Sequence, residues 1–270
     1  MKLTSPQKIT LVFLLGLIAF WTVLYQYGIT EGFYNYLYSF LFGLIPLFGG
    51  IAAMRNSRTW GGFKSAVGKA VFFVGLGVTL WGAGETIWSY YNFFLNVAAP
   101  YPSLADLGFA PSIFFYGLGI VYLSKATGAR FGLRSTVGKV LVVLSLIATS
   151  VLSYYILIVV ARGGVLLPDG ESLVKGILDI AYPLGDFLGL TLAVVISGLS
   201  FKYFGGKYVL SIISLLAGLF VMFAADTVFS YTTTIGTYYN ADIGDLMLTL
   251  GTFLLTFGVL GFYNAKTKTI

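Results

Sequence analysis

Ala83-Gly84-Glu85-Thr86-Ile87-Trp88-Ser89-Tyr90 recurs without a gap as Ala224-Ala225-Asp226-Thr227-Val228-Phe229-Ser230-Tyr231. Four positions are identical, and the other four exchange acid for acid, aromatic for aromatic, Ile for Val and Gly for Ala. Each copy holds one carboxylate inside a long apolar run. Even lenient insertion scales put an acid at the centre of a membrane helix at a cost of about 3 kcal/mol, so such an acid is a functional-site hypothesis in its own right.

The composition around the two copies sets the class. The 270 residues are 58% hydrophobic and only 10% charged, with a mean hydropathy of +0.90, so there is too little charge to solvate a globular surface. The apolar runs are long and unbroken rather than alternating, which predicts membrane helices and not a barrel. With no Cys and no His in the chain, thiolate chemistry, the commonest general base and the commonest transition-metal ligand are all excluded. The net charge of +6 sits in short loops between apolar runs. It therefore reads as a topology signal and not as a nucleic-acid surface.

Eight spans are expected: Ile9 to Gly28, Tyr34 to Met54, Gly68 to Leu95, Leu104 to Ser124, Val140 to Val160, Ile177 to Leu199, Tyr208 to Tyr231 and Ile243 to Tyr263. The first begins like a signal peptide but runs into Phe20, Trp21 and Tyr25 without a small-residue cleavage pattern, so it is kept as a helix. With the N-terminus inside, fourteen of the sixteen basic residues fall on the cytoplasmic side, leaving only Arg162 and Lys175 outside. This positive-inside bias puts both termini in the cytoplasm and the protein in the cell membrane. All ten acids lie in outer loops or in helices.

Two pairs of acids frame the repeat. Glu85 is followed by Asp106 after 21 residues, Asp226 by Asp245 after 19, and Pro46-Leu47 of span two finds a weaker echo in Pro183-Leu184 of span six. The expected fold is thus an all-α polytopic bundle of eight transmembrane helices built as a tandem 4+4 repeat. Residues 1–136 form the first repeat and 137–270 the second. An even number of helices per repeat gives both copies the same orientation, related by a pseudo-two-fold axis along the membrane normal.

The segments Trp81-Gly82, Trp88-Ser89-Tyr90-Tyr91, Pro100-Tyr101-Pro102-Ser103-Leu104-Ala105-Asp106 and Ala181-Tyr182-Pro183-Leu184-Gly185-Asp186 carry a resemblance. Together with Asp226 and Asp245 they resemble the multi-helix membrane regions that precede diguanylate cyclase domains in some bacterial signalling proteins. The resemblance covers about spans three to eight and implies a shared membrane fold and a sensing role. No cyclase segment follows within these 270 residues, so the expectation is a module that acts through a membrane or cytoplasmic partner.

Candidate ligand-binding residues are Glu85, Asp186, Asp226, Asp179, Tyr182, Trp88, Asp106 and Asp245. Asp179, Tyr182 and Asp186 share one helix face, with the two acids about 10 Å apart. Arg162 and Lys175 are expected at the rim, so the inner carboxylates must be protonated, share protons, bind a metal or bind a cationic ligand. Any cofactor would be a hard cation held by oxygen, although aromatic faces at Trp88 and its neighbours equally suit an organic amine. Asp106, Asp242 and Asp245 stand at helix starts, where capping is the competing reading. For Glu85, Asp186 and Asp226 the competing reading is a neutral carboxyl that joins helices. The functions left open are a binding or sensory module with an outward-facing acidic and aromatic cavity, a cation- or proton-coupled transporter or channel, and, ranked last, an enzyme.

Overall fold

A computed structural model describes residues 3–127, 136–160, 162–165, 172–182, 184–185, 191 and 208–263. Among these residues there is no strand. Helix α1 covers Ser5–Gln26, α2 Phe33–Asn56, α3 Ala66–Leu95 and α4 Asp106–Thr127. Helix α5, Thr136–Tyr154, runs into a π-helical turn at Tyr155–Val160. A helical stretch over 173–182 forms α6, followed by α7, Val209–Thr234, and α8, Ile243–Leu260. Six of these (α1 to α4, α7 and α8) are long and apolar enough to cross a membrane, so the chain is a multi-pass membrane protein. Most of the expected sixth span, including Asp186, lies outside the described residues.

Helix ends follow capping chemistry more closely than hydropathy. The first helix starts at Ser5 and not Ile9, because Thr4 and Gln7 form a reciprocal capping box and Pro6 suits the first turn. Likewise α3 starts at Ala66 because Ser65 accepts the Gly68 amide at 2.8 Å. A polar cap supports a first turn that an apolar window does not register, which displaces both expected starts by a few residues.

Helix α8 lies at the centre and packs against α1, α2, α3 and α7. Two of its threonines bond along the helix, Thr249 to the Asp245 carbonyl at 2.7 Å and Thr252 to that of Leu248 at 2.8 Å, so these polar side chains sit in an apolar setting without open donors. Its last carbonyls, which no helix can satisfy internally, are taken by neighbours. Gln7 donates to Phe257 and Thr4 to Leu260, and just past the helix Asn56 and Trp60 donate to Phe262. Side chains from the start of α1, from α2 and from the turn after α2 thereby tie the C-terminal end of α8 to its neighbours.

The opposite end gathers the loops that follow α1, α3 and α7. Trp21 donates to the Ala241 and Asp242 carbonyls, Asn35 to Asn240, and Asn240 to Ala98. The described acids gather toward this end, whereas Lys8, Arg55, Arg58, Lys64, Lys69 and Lys125 belong to the other.

The two helical hairpins, α3 with α4 and α7 with α8, are close-packed through glycine. A Cβ on Gly108 would lie 2.5 Å from the Leu80 carbonyl, and one on Gly258 would lie 2.8 Å from that of Ser211. Backbones approach this closely only where a side chain is missing, and the approach fixes the height of the acids on facing helices.

Candidate functional site

Between α3, α4, α6, α7 and α8, toward the acidic end, lies a cavity of about 40 Å³. Four carboxylates reach it, one from each of four helices: Glu85 from α3, Asp106 from α4, Asp226 from α7 and Asp245 from α8. Trp81, Trp88, Tyr101, Phe109, Tyr182, Phe229 and Tyr238 supply an aromatic wall. No Lys or Arg is among its described lining residues. Six of the eight residues singled out by sequence meet here; the exceptions are Asp179, which lies beside the cavity, and Asp186, which lies outside the described residues.

The four acids are not equivalent. Asp245 is 2% exposed and serves as both cap and wall: its Oδ2 accepts the Ala241 amide at 2.7 Å, while Ser39 Oγ and Tyr238 Oη stand 3.2 and 3.3 Å from its oxygens. Asp242 takes the N-cap of α8, accepting the Asp245 amide at 2.9 Å. Asp106 accepts the Ser103 amide at 2.7 Å and the Tyr182 hydroxyl. Capping and cavity lining are therefore compatible in Asp106 and Asp245. Glu85 differs from both. It is 5% exposed, and among the described residues no hydrogen bond or ion pair reaches its carboxylate. Gly43 of α2 leaves the space its side chain occupies, since a Cβ there would lie 2.5 Å from Glu85 Cγ.

Asp179 departs from expectation. Arg162, expected at the rim, is buried, and both Arg162 and Lys175 pair with the Asp179 carboxylate, Lys175 at 2.8 Å. The reason is local: Arg162 follows the π-helical turn and meets α6, and Lys175 lies one helical turn before Asp179, at the i, i+4 spacing that favours such pairs. Asp179 also accepts the Tyr101 hydroxyl at 2.6 Å. Its charge is thus compensated, and it acts as a strut beside the cavity. Burial first, and the Asp179 charge second, push the Tyr101 phenol above its usual range, so Tyr101 stays a hydrogen-bond donor. Burial and then the Asp245 charge raise the Tyr238 phenol in the same way.

Around Phe229 the aromatic wall is made of edge-to-face contacts. Trp88 meets Phe229 and Tyr238 with ring centroids 6.0 Å apart in both cases, and Phe229 meets Tyr238 at 5.0 Å and Tyr101 at 5.3 Å. Asn240, which sequence reasoning passed over, ties this wall together. Its Oδ1 accepts Trp88 Nε1 at 2.9 Å and lies 3.2 Å from Ser39 Oγ, while its Nδ2 donates to Ala98. A lone Asn in a loop carries no signal of such a role, because its partners stand roughly 140 to 200 positions away in the chain. Phe109 and Ser112 were passed over as well, as ordinary residues of an apolar helix.

Chemically, the cavity gathers carboxyl groups and π-faces. Its volume corresponds to about three water molecules, enough for a small cation or one cationic headgroup. Among the described residues no three acids are grouped so that they could hold one metal ion. No family model, characterised protein or solved structure matches this chain.

Proposed function

We propose that the chain is a membrane-embedded binding module whose acidic and aromatic cavity takes a small cation at the outer side, with the N-terminus in the cytoplasm. The observation that carries this reading is Glu85: a buried carboxyl that no hydrogen bond or ion pair reaches among the described residues, facing a cavity that its neighbours line with further acids and aromatic rings. Unless it keeps its proton, a carboxyl buried in this way costs several kcal/mol, and a cation in the cavity offsets that cost. Because the described acids do not group three together around one metal position while seven aromatic residues line the space, an ammonium group suits it better than a hard divalent ion.

The 4+4 repeat belongs to the same proposal, supported by matching pairs. Glu85 and Asp226 both reach the cavity, and Trp88 meets its counterpart Phe229 directly. Thr86 and Thr227 each bond the carbonyl four residues before them, at 2.9 and 2.7 Å. Asp106 of α4 is reached by Tyr182 of α6, just as Asp245 of α8 is reached by Ser39 of α2. In keeping with the resemblance to sensor regions ahead of diguanylate cyclases, we read the module as sensory, with its output passed to a membrane or cytoplasmic partner. The described acids gather toward one end of the bundle and none lies in a loop of the basic end, which favours binding over passage through the bundle.

Thermal unfolding of the purified protein in detergent tests the reading. Ligand at a hundredfold excess over Kd stabilises by about 2.7 kcal/mol, so tetramethylammonium or ethylammonium should raise Tm by several degrees at constant ionic strength. Glu85→Gln should raise Tm without ligand and abolish the ammonium response. If neither ammonium nor sodium, calcium or magnesium shifts the wild-type Tm, and Glu85→Gln lowers it, the binding role is wrong and Glu85 is structural.

A further inference from the structure

A second feature bears on what kind of cation the cavity takes. Outside it, between α4 and α6, runs an apolar groove of about 470 Å³. Ala110, Ile113, Phe114, Gly117, Leu118 and Val121 line it from α4, and Leu178, Ala181, Tyr182 and Gly185 from the α6 side. It carries almost no polar surface, and it opens toward the apolar flank of the bundle, where Phe114 is exposed. Two of its residues, Ile113 and Tyr182, also line the acidic cavity. Gly185 stands against Ile113, where a Cβ would come within 2.7 Å of Ile113 Cγ2. The groove and the cavity thus share a wall. From Ile113 to Val121 the groove follows α4 for roughly 12 Å, the reach of a medium-length alkyl chain. A Cβ on Gly117 would meet nothing within 4 Å, so the space there is open.

We infer that the ligand is a single-chain cationic amphiphile, with its ammonium headgroup in the acidic cavity and its alkyl chain along the α4–α6 groove, entering from the bilayer past Tyr182 and Ile113. The inference rests on the cation-binding reading of the cavity. Charge complementarity selects the occupant: an ordinary phospholipid would bring its phosphate toward Asp106 and Asp226, whereas an alkylammonium brings only positive charge. The aromatic wall suits that charge, since an ammonium group is attracted to ring faces. The groove suits the tail, having no charged residue among its described lining.

The test compares tetramethylammonium with dodecyltrimethylammonium on the full chain in lipid nanodiscs, read by quenching or shift of the Trp81 and Trp88 fluorescence. Partition into the bilayer alone raises the apparent affinity of the long-chain ligand, so the groove is probed by Gly117→Phe and, independently, by Val121→Phe. Both substitutions should weaken dodecyltrimethylammonium at least tenfold and leave tetramethylammonium within twofold. That retained binding also reports that the variants are folded. If the long-chain affinity is unchanged in both variants, the groove does not hold the tail and the inference is overturned while the cavity reading stands. If a phospholipid co-purifies in the groove and is not displaced by dodecyltrimethylammonium, the inference is overturned as well. If neither ligand binds wild-type protein and Glu85→Gln leaves the fluorescence unaltered, the cavity reading itself fails.

Discussion

At the residue scale, polar side chains in this bundle earn their place by what they join. Asn240 links the loop after α3, the Trp88 ring and the α2 face at Ser39 through one amide. Each such bond contributes about 0.5–1.5 kcal/mol, and the Trp88 N–H would be left buried without an acceptor. Asn240→Ala should therefore lower stability by about 2–4 kcal/mol and alter Trp88 fluorescence, as read by thermal unfolding followed at the tryptophan emission. An unchanged midpoint would mean that water replaces the amide without loss. Asp242 gives a different kind of prediction because it titrates at the membrane edge. Burial raises its carboxyl from 3.8 to about 6, against the lowering effect of the amides it caps. A carboxyl with a raised folded pKa binds its proton more tightly in the folded state. Its contribution to stability is therefore complete below about 4 and lost as pH climbs through about 6. Asn caps a helix as well as Asp does. Asp242→Asn should thus match the wild type near pH 4 and exceed it in Tm at pH 7; a difference independent of pH would remove Asp242 as the titrating group.

At the element scale, the glycine contacts decide where the acids stand. Gly108 of α4 approaches α3 so closely that a Cβ would lie 2.5 Å from the Leu80 carbonyl and 2.6 Å from the Gly84 amide nitrogen. Backbone atoms cannot yield as a side-chain tip can, so Gly108→Ala must push the two helices apart, at a cost of about 1–3 kcal/mol. Because Asp106 and Phe109 flank Gly108 on the same helix, the variant should also lose ligand-induced stabilisation, whereas Gly117→Ala, which adds a methyl group to open space, should retain both. Equal behaviour of the two variants would show that the α3–α4 approach does not set the cavity. The helices themselves were legible in the sequence: apolar runs gave α1 to α4, α7 and α8 to within a few residues, and the recurrence around Glu85 and Asp226 pointed to two acids that do line one cavity. What the runs could not convey is contact between distant elements. The pairing of Arg162 with Asp179 depends on how a π-helical turn meets α6, and the Asn240 network depends on three chain segments closing on one loop. Hydropathy measures a residue against the membrane and carries no information about which neighbour it meets there.

At the scale of the whole molecule, the separation of charge between the two ends is what relates the cavity to a side of the membrane. Lys8, Arg55, Arg58, Lys64, Lys69 and Lys125 sit at one end of the bundle, while the cavity, lined by Asp106 and Asp245, lies toward the other, which also carries Glu31 and Asp242. Basic loops are retained in the cytoplasm, so the proposed orientation makes the site face outward, as a receptor for something delivered from outside or from the outer leaflet requires. The opposite orientation would present the same acids to the cell interior and make the sensing proposal one about internal amines. The chain contains no cysteine, so single substitutions can be read without background. Lys64→Cys in the turn between α2 and α3 should react with a membrane-impermeant maleimide only after the cells are permeabilised, whereas Glu31→Cys, in the loop between α1 and α2, should react in intact cells. Both positions are exposed, which leaves the bilayer as the only barrier between reagent and thiol. Reaction of Lys64→Cys in intact cells, with protection of Glu31→Cys, would invert the molecule and place the acidic cavity on the cytoplasmic side.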